Sequence, residues 1–193
     1  ELAYKFILFD NGTKKIARYQ QYFTVHDIIK RVLNATSTGP RPGGVVWHTQ
    51  GSGKSLTMVM LAKSLALHPD IANPKIVLVT DRIDLDDQIC GTFRACSLEP
   101  EQARTGKHLV KLLKDHRTHI VTTLIHKFVV AASNKKLQAD HNTFVLVDEG
   151  LWIQQHHDQP AHSFDEAYTS LVQHDAPSAE SAVRRAAGYV RAE

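Results

Sequence analysis

The sequence predicts an α/β fold in which a parallel sheet is flanked by helices. Four short runs rich in Val and Ile punctuate the first 150 residues, at 44–48, 75–80, 119–123 and 143–148. Each run is almost continuously apolar, which is typical of strands buried on both faces. Segments with helical spacing lie between the runs, and this alternation of strand and helix favours βαβ units in a doubly wound sheet.

Helices are expected where apolar residues recur every three or four positions. Four segments show that spacing, at 16–33, 54–67, 83–95 and 106–114. Asp84 is a candidate N-cap for the third of them. The stretch at 34–44, NATSTGPRPGG, is a loop by composition.

Length and composition leave room for one core of ordinary size. The chain has 193 residues and a formal net charge of +3, and a unit of about 150 residues buries enough surface to fold alone. No apolar run approaches the roughly 18–20 residues of a membrane span, and the N-terminus has no signal-peptide pattern. The first residue is not Met, which indicates a processed or partial chain. Cys90 and Cys96 fit neither a CxxC nor a zinc spacing, so we expect free thiols in a reducing cytoplasm.

The chain changes character after residue 150. Residues 1–150 carry 20 Lys and Arg against 14 Asp and Glu, whereas residues 151–193 carry 3 against 6. The basic block permits a polyanion partner, although an ordinary solvated surface explains the same excess. Buried β runs end at the same point. We therefore expect one domain over 1–150 and a divergent tail over 151–193 that is weakly helical or disordered.

A phosphate-binding loop is predicted where the first strand meets a helix. Residues 47–55 read WHTQGSGKS, and their last three match the end of the GxxxxGK[ST] pattern, whose first glycine is replaced by His48. Backbone N–H groups of this loop can curl around a phosphate, and the helix that starts at Lys54 points its positive dipole end at the same anion. Lys54 can also reach β- and γ-phosphate oxygens. The candidate nucleotide-binding residues of the loop are Thr49, Gln50, Gly51, Ser52, Gly53, Lys54 and Ser55.

Two acids at the end of the last predicted strand complete the expected site. The run TFVLVDEG places Asp148 and Glu149 at the carboxyl end of a buried strand, the edge at which open α/β sheets bind ligands. Asp148 can hold Mg²⁺ through its water ligands, and Glu149 can polarise the attacking water. The candidate catalytic residues are therefore Lys54, Asp148 and Glu149, and the candidate Mg²⁺ ligands are Ser55 and Asp148.

Five sequence stretches, taken in their order along the chain, indicate which protein family the chain resembles. They are KKIARYQQYFTV at 14–25, WHTQGSGKSLTMVM at 47–60, IVLVTDRIDLDDQIC at 76–90, TGKHLVKLLK at 105–114 and IVTTLIHKF at 120–128. The series closely resembles the first motor domain of the restriction (R) subunit of type I restriction-modification enzymes, which are superfamily 2 DNA translocases. The resemblance covers residues 14–150 and implies a RecA-like P-loop NTPase domain that is incomplete at its C-terminal side.

The resemblance also implies roles for residues outside the phosphate loop. Arg18 and Gln21 match an adenine-reading R-x-x-Q motif, with Gln20 as the alternative if the register differs by one. The implied DNA-contacting residues, which touch phosphates and sugars and read no bases, are Thr80, Arg82, Thr122, Thr123 and His126. We expect the neighbouring acids Asp81 and Asp84 to Asp87 to act as caps or to bind partner loops, with a solvated face as the alternative.

Whole members of this family hydrolyse ATP, move duplex DNA past a bound complex and cut it at a distance. The resemblance therefore implies ATP and Mg²⁺ as cofactors, and duplex DNA, a methylation subunit and a specificity subunit as partners in the cytoplasm. Cutting belongs to a separate nuclease domain. No convincing PD…(D/E)xK pattern is present in the sequence, so we do not expect this chain to cut DNA.

The resemblance stops at residue 150. Leu151 takes the place of the family's histidine, and neither a TGTP-like motif nor a second RecA-like domain follows. The simplest interpretation is a truncated reading frame with a foreign tail, and a real variant with a reorganised C-terminal half is the alternative. The alternative function is accordingly an incompetent remnant that at most binds nucleotide, and whether the chain is an active enzyme stays open. His156, His157 and His162 lie in a polar stretch and do not by themselves indicate a metal site.

Overall fold

A computed structural model describes residues 5–33, 43–46, 51–132 and 142–148. These residues form two compact units. The first unit contains 5–33, 43–46, 51–72 and 95–97, and the second contains 73–94, 98–132 and 142–148.

The first unit opens with a β-hairpin. Strands β1 (Ile7–Asp10) and β2 (Thr13–Ile16) pair antiparallel, with Asp10 opposite Thr13. The two turn residues, Asn11 and Gly12, have φ of 48° and 79°, as the favoured two-residue hairpin turn requires. The expectation that a helix begins at residue 16 is therefore wrong, because Ile16 ends β2.

Two helices follow the hairpin in the described part of the first unit. Helix α1 (Tyr19–Leu33) packs against helix α2 (Lys54–Ala66). Val25 of α1 and Val59 and Met60 of α2 are fully buried. The apolar spacing that predicted these helices thus marks the faces that they bury.

The predicted first strand, at 44–48, is not formed in the part that the structure describes. Only Val46 makes a single bridge, and Val45 and Val46 are 56% and 44% exposed. Residues 47 and 48 lie outside the described residues. An apolar run of this length carries too little periodicity to separate a buried strand from other structures.

A parallel four-stranded sheet forms the centre of the second unit. Its strands are β3 (Lys75–Thr80), β4 (Glu101–Gln102), β5 (Ile120–Leu124) and β6 (Thr143–Val147), in the spatial order β4-β5-β3-β6. The helices of this unit are α3 (Ile83–Ala95), α4 (Gly106–Lys114) and α5 (Ile125–Ala132). The predicted α/β class, with a parallel sheet flanked by helices, is confirmed. The two-residue β4 and the helix α5 were not anticipated.

The core of the second unit lies where the sheet meets α4 and α5. Val77 and Val79 of β3, Leu109 of α4 and Phe128 of α5 are fully buried and belong to one apolar cluster. The Nζ atom of Lys75 donates hydrogen bonds to the carbonyl oxygens of Leu112, Leu113 and Asp115, at 3.0, 2.6 and 2.9 Å. A cation therefore satisfies the last carbonyls of α4, where the helix dipole is negative.

Across the described ranges, no helix combines the length and the apolar character that a membrane span requires.

Candidate nucleotide-binding site

Two glycines shape the described part of the phosphate loop. Gly51 and Gly53 have φ of 77° and 88°, a left-handed conformation that costs other residues free energy. Gly53 is the N-cap of α2 and offers no side-chain acceptor to the first N–H groups of that helix. The helix start is therefore left with the donors that an anion can use.

Lys54 and Ser55 are the first two residues of α2, and both are half-buried. Their position at the helix N-terminus is the one that phosphate and Mg²⁺ binding requires. The Ser55 hydroxyl is an oxygen ligand of the kind that Mg²⁺ prefers. Ser52 precedes Gly53 and is half-buried. Thr49 and Gln50 lie outside the described residues, so their role stays a prediction.

The carbonyl oxygen of Gly53 accepts three hydrogen bonds. Thr57 donates from its backbone N–H at 3.0 Å and from Oγ1 at 3.1 Å, and Gln21 donates from Nε2 at 3.1 Å. The approach of Gln21 is so close that a Cβ built on Gly53 would lie 2.8 Å from Nε2. Alanine at position 53 would therefore carry backbone strain and would also displace the end of the Gln21 side chain.

Both polar atoms of the Gln21 side-chain amide are hydrogen-bonded. Its Oε1 accepts a hydrogen bond from the Arg18 N–H at 2.9 Å, which is the reciprocal half of a capping box because Arg18 precedes α1 and Gln21 is its third residue. Gln21 is 4% exposed, whereas Gln20 is exposed. The structure therefore directs Gln21 rather than Gln20 at the phosphate loop, and the adenine contact itself stays a prediction.

Asp148 follows β6 at the carboxyl edge of the sheet. Its backbone N–H donates to the Val79 carbonyl at 2.9 Å, which continues the ladder between β6 and β3 by one residue. Glu149 lies outside the described residues. Lys54 and Ser55 belong to the first unit and Asp148 to the second, so their meeting at one magnesium–triphosphate site stays a prediction.

Three of the five candidate DNA-contacting residues have buried side chains. Thr80 is 1% exposed, and Thr122 and Thr123 are fully buried. The Thr122 hydroxyl lies 3.1 Å from Cys90 Sγ, and Thr80 Oγ1 donates to the Arg82 carbonyl at 3.4 Å. The exposed fractions of these threonines cover the backbone as well as the side chain, so none of the three residues offers DNA an accessible atom in this arrangement, and their contact with DNA stays a prediction.

Arg82 and His126 have exposed side chains. Both follow strands that end at one edge of the parallel sheet, β3 and β5. Arg82 binds Asp84 through two hydrogen bonds, Nε to Oδ1 at 3.1 Å and Nη2 to Oδ2 at 2.5 Å. This pair lowers the pKa of the Asp84 carboxyl, and a DNA phosphate that binds Arg82 must compete with it.

The acidic residues that follow β3 differ in burial and in hydrogen-bond partners. Asp84 is the second residue of α3 rather than its N-cap, so the capping expectation is wrong for this residue. Asp81 and Asp87 are exposed, whereas Asp86 is 2% exposed. Asp86 Oδ2 accepts a hydrogen bond from Gln102 Nε2 at 2.6 Å, and Asp87 Oδ1 accepts from the same nitrogen at 3.0 Å. These carboxylates thus connect α3 to β4.

Cys90 and Cys96 are buried and form no disulfide. Burial raises the pKa of both thiols. The expectation of free thiols is confirmed. His156, His157 and His162 lie outside the described residues, and among the residues that are described no three His, Cys, Asp or Glu side chains are placed to hold a metal.

Sequence reasoning missed two residues that organise these sites. Thr57 fixes the Gly53 carbonyl, and a signal was available because it lies one helical turn after the glycine that precedes the helix. Gln102 joins the acids of α3 to β4 across 15 and 16 positions of sequence. No local pattern could have indicated that contact.

Comparison with known proteins identifies the family. A family model described as SWI2/SNF2 ATPase matches residues 20–170. The type I restriction enzyme HindI endonuclease subunit of Haemophilus influenzae is 35% identical over 90% of this chain and 18% of its own length. The putative type I restriction enzyme MjaIXP endonuclease subunit of Methanocaldococcus jannaschii is 33% identical over 77% of this chain and 15% of its own length.

The chain spans less than a fifth of the length of these relatives. The family match continues to residue 170, and the boundary expected at residue 150 stays a prediction. The match includes the phosphate loop, the sheet and its carboxyl edge. The chain belongs to the SWI2/SNF2 ATPase family and is a relative of the endonuclease subunits of type I restriction enzymes.

Proposed function

We propose that the chain is the ATP-binding part of an ATP-dependent DNA translocase, the motor of a type I restriction enzyme. The observation that carries the proposal is the backbone of the phosphate loop. Two glycines with positive φ lead directly into α2, whose first residues are Lys54 and Ser55. This arrangement suits the phosphates of a nucleotide, because the first N–H groups and the dipole of the helix point to one place, and Lys54 can bring an ammonium group to it.

The chemical roles follow from the residue types. Lys54 neutralises β- and γ-phosphate oxygens, Ser55 ligates Mg²⁺, and Asp148 holds the ion through water. Glu149 orients the water that attacks the γ-phosphate. The magnesium ion offsets the charge that develops on the transferred phosphoryl group when ATP is bound.

Adenine recognition is assigned to Arg18 and Gln21. The Gln21 amide has two partners in the structure, the Arg18 N–H and the Gly53 carbonyl. The amide keeps one N–H and one oxygen lone pair, with which it can bond a base edge while both of these contacts persist. Adenine binding is thereby linked to the position of the phosphate loop.

Duplex DNA is proposed to lie along the carboxyl edge of the sheet. Arg82 and His126 are the exposed candidates there, whereas Thr80, Thr122 and Thr123 could contact DNA only after a rearrangement that exposes them. The relatives are named as endonuclease subunits of type I restriction enzymes. On that ground we propose methylation and specificity subunits as partners, and the cytoplasm as the location.

Equilibrium binding of a fluorescent ATP analogue tests the nucleotide site. Lys54→Ala should weaken binding by about tenfold or more, because a hydrogen bond to a charged group contributes about 1.5–3 kcal/mol. Ser55→Ala should remove most of the Mg²⁺ dependence of binding. Lys63→Ala is the matched control, since Lys63 lies about two and a half turns further along α2. Equal affinity in all four proteins would refute the site.

A second candidate is a remnant that binds nucleotide and performs no work. The replacement of the family's histidine by Leu151 favours it. The motor and the remnant are separated by an assay of ATP hydrolysis with and without duplex DNA. The assay uses the chain joined to the second motor lobe of a relative. Stimulation by DNA supports the motor, and binding without stimulated hydrolysis supports the remnant. An arginine finger raises hydrolysis in P-loop enzymes about 10³–10⁵-fold, so slow turnover by the chain alone fits both candidates.

A further inference from the structure

We propose that the exposed side of α4 is a second contact surface for duplex DNA and binds its phosphate backbone beside the carboxyl edge of the sheet. The surface, which we call the basic face, consists of Arg104, Lys107, Lys111, Lys114 and Arg117. All five residues are exposed. The inference rests on the proposed function, because it takes duplex DNA as the partner.

The basic face concentrates more positive charge than the chain carries as a whole. Residues 104–117 contain five Lys and Arg and one Asp, a formal charge of +4, whereas the whole chain carries +3. The carboxylate of that acid, Asp115, accepts hydrogen bonds from the Arg117 N–H at 3.0 Å and from the Thr118 hydroxyl at 3.4 Å. Among the described residues, no ion pair joins a cation of the basic face to a carboxylate. A surface with this charge attracts a polyanion.

The geometry of α4 aligns its three lysines. Lys107, Lys111 and Lys114 are spaced by four and three positions, so they lie within an arc of about 60° and span about 10 Å along the helix axis. Leu109 and Leu112 are buried on the other side of the helix. Each strand of duplex DNA carries one phosphate per about 3.4 Å of its axis, so the length of the lysine series corresponds to about three phosphates.

Helix stability does not explain all of these lysines. Lys111 and Lys114 lie in the last turn of α4, where the negative end of the helix dipole favours cations. Lys107 is the second residue of α4, where the dipole is positive and a cation is unfavourable. Lys107 and Lys111 also form a like-charge pair four residues apart, which destabilises a helix. A bound polyanion reduces both unfavourable effects, because its phosphates offset the lysine charges.

The basic face begins at the edge of the sheet where DNA is proposed to lie. Strand β4 is parallel to β5 and is the terminal strand of the described sheet. Arg104 follows β4 by two residues, so it lies at the same carboxyl edge as Arg82 and His126. Helix α4 then leads away from that edge. The basic face therefore extends the proposed DNA path beyond β4, and one duplex can contact both surfaces.

Fluorescence anisotropy of a labelled duplex, titrated with the purified 193-residue chain at several salt concentrations, tests the inference. Lys107→Gln combined with Lys111→Gln should weaken binding by about tenfold or more at about 50 mM salt. The same variant should reduce the slope of log K against log salt by about 1.8, since each phosphate contact contributes about 0.9. Lys14→Gln combined with Lys30→Gln also removes two exposed lysines, and it should leave affinity within about twofold and the slope unchanged.

The outcomes separate the inference from the proposed function. All four substituted lysines are exposed, so both variants should fold, and circular dichroism checks them. If the unaltered chain binds duplex and the α4 variant binds as tightly as the control variant, the inference is overturned and the proposed function stands. A chain that binds the ATP analogue but no duplex overturns DNA contact at both surfaces.

A second polyanion tests the choice of partner. Extended poly-L-glutamate carries one charge per about 3.3–3.6 Å, about half the charge density of duplex DNA. It should displace the duplex only at a large excess of charge. Displacement at equal charge concentration would show that the basic face takes acidic peptides as readily as DNA, and would overturn the inference.

Discussion

The close approach of Gln21 to Gly53 predicts that two glycines of one loop respond differently to the same substitution. Gly53→Ala places a side chain on a residue with φ of 88°, 2.8 Å from Gln21 Nε2. Gly51→Ala meets nothing within 4 Å among the described residues, although its φ of 77° is similar. Both variants carry the strain of a left-handed alanine, but only Gly53→Ala should also displace Gln21.

The size of the expected destabilisation follows from the backbone strain of alanine and from the displacement of Gln21. A left-handed non-glycine residue costs about 1–2 kcal/mol. The Gln21 side chain can move aside, but it then loses its 3.1 Å hydrogen bond to the Gly53 carbonyl, which costs about 0.5–1.5 kcal/mol. We therefore expect Gly53→Ala to destabilise the unit by about 1 kcal/mol more than Gly51→Ala. The loss of unfolded-state entropy that accompanies Gly→Ala is common to both variants and cancels.

A double-mutant cycle isolates the contact. Urea unfolding is measured for the unaltered chain, for Gly53→Ala, for Gln21→Ala and for the combination, and again with Gly51→Ala in place of Gly53→Ala. Hydrogen exchange of the Thr57 N–H, which donates to Gly53, gives a local measurement at the same site. In the first cycle the combined variant should be more stable than the sum of its parts by about 1 kcal/mol. If the effects add to within about 0.5 kcal/mol in both cycles, the contact does not constrain Gly53 and the reasoning is wrong.

Three further predictions concern the second unit. Lys75→Met should lower the free energy of unfolding by about 2 kcal/mol, because the substitution removes the Nζ donor from three carbonyls at the end of α4. Lys107→Met, at an exposed position, should change that free energy by less than about 0.5 kcal/mol. Thermal or urea unfolding measures both variants. The hydrogen bond from the Arg117 N–H lowers the pKa of Asp115 in the folded chain. The stability that this hydrogen bond contributes is therefore complete above about pH 4, and it is lost as the pH falls through the pKa of Asp115 in the folded state. Asp115→Asn should therefore flatten the acid side of the stability profile, and an unchanged profile would contradict the assignment. Burial raises the pKa of Cys90, so labelling by a thiol reagent at pH 8 should be slow in the folded chain and fast in urea; rapid labelling without unfolding would show that the thiol is accessible.

Several parts of the fold could be predicted because their signals are local. The strand at 75–80 and the helices at 83–95 and 106–114 have the predicted bounds. The two helices have apolar spacing over 13 and nine residues, and the strand is a continuous apolar run rich in Val and Ile. The position of the phosphate loop before α2 follows equally from chemistry within a few residues, since GSGKS combines glycines for positive φ with a helix start.

Other parts escaped prediction because their signals are short or ambiguous. The strand β4 has two residues, too few for any period to show. The helix α5 follows β5 without a break, so the apolar run continues across the boundary. The Asn11-Gly12 turn was a usable hairpin signal that the helical interpretation of the residues from Ile16 onward overlooked.

The type of each long element and the chemistry of its motifs can be inferred from the sequence alone, because both depend on neighbouring residues. Tertiary structure decided the strand order β4-β5-β3-β6, the burial of Thr122 and Thr123, and the contact that joins Gln21 to Gly53 over 32 positions. Each of these depends on which distant surfaces pack together. The free energy of that packing is shared among many side chains and leaves no pattern in any single stretch of sequence.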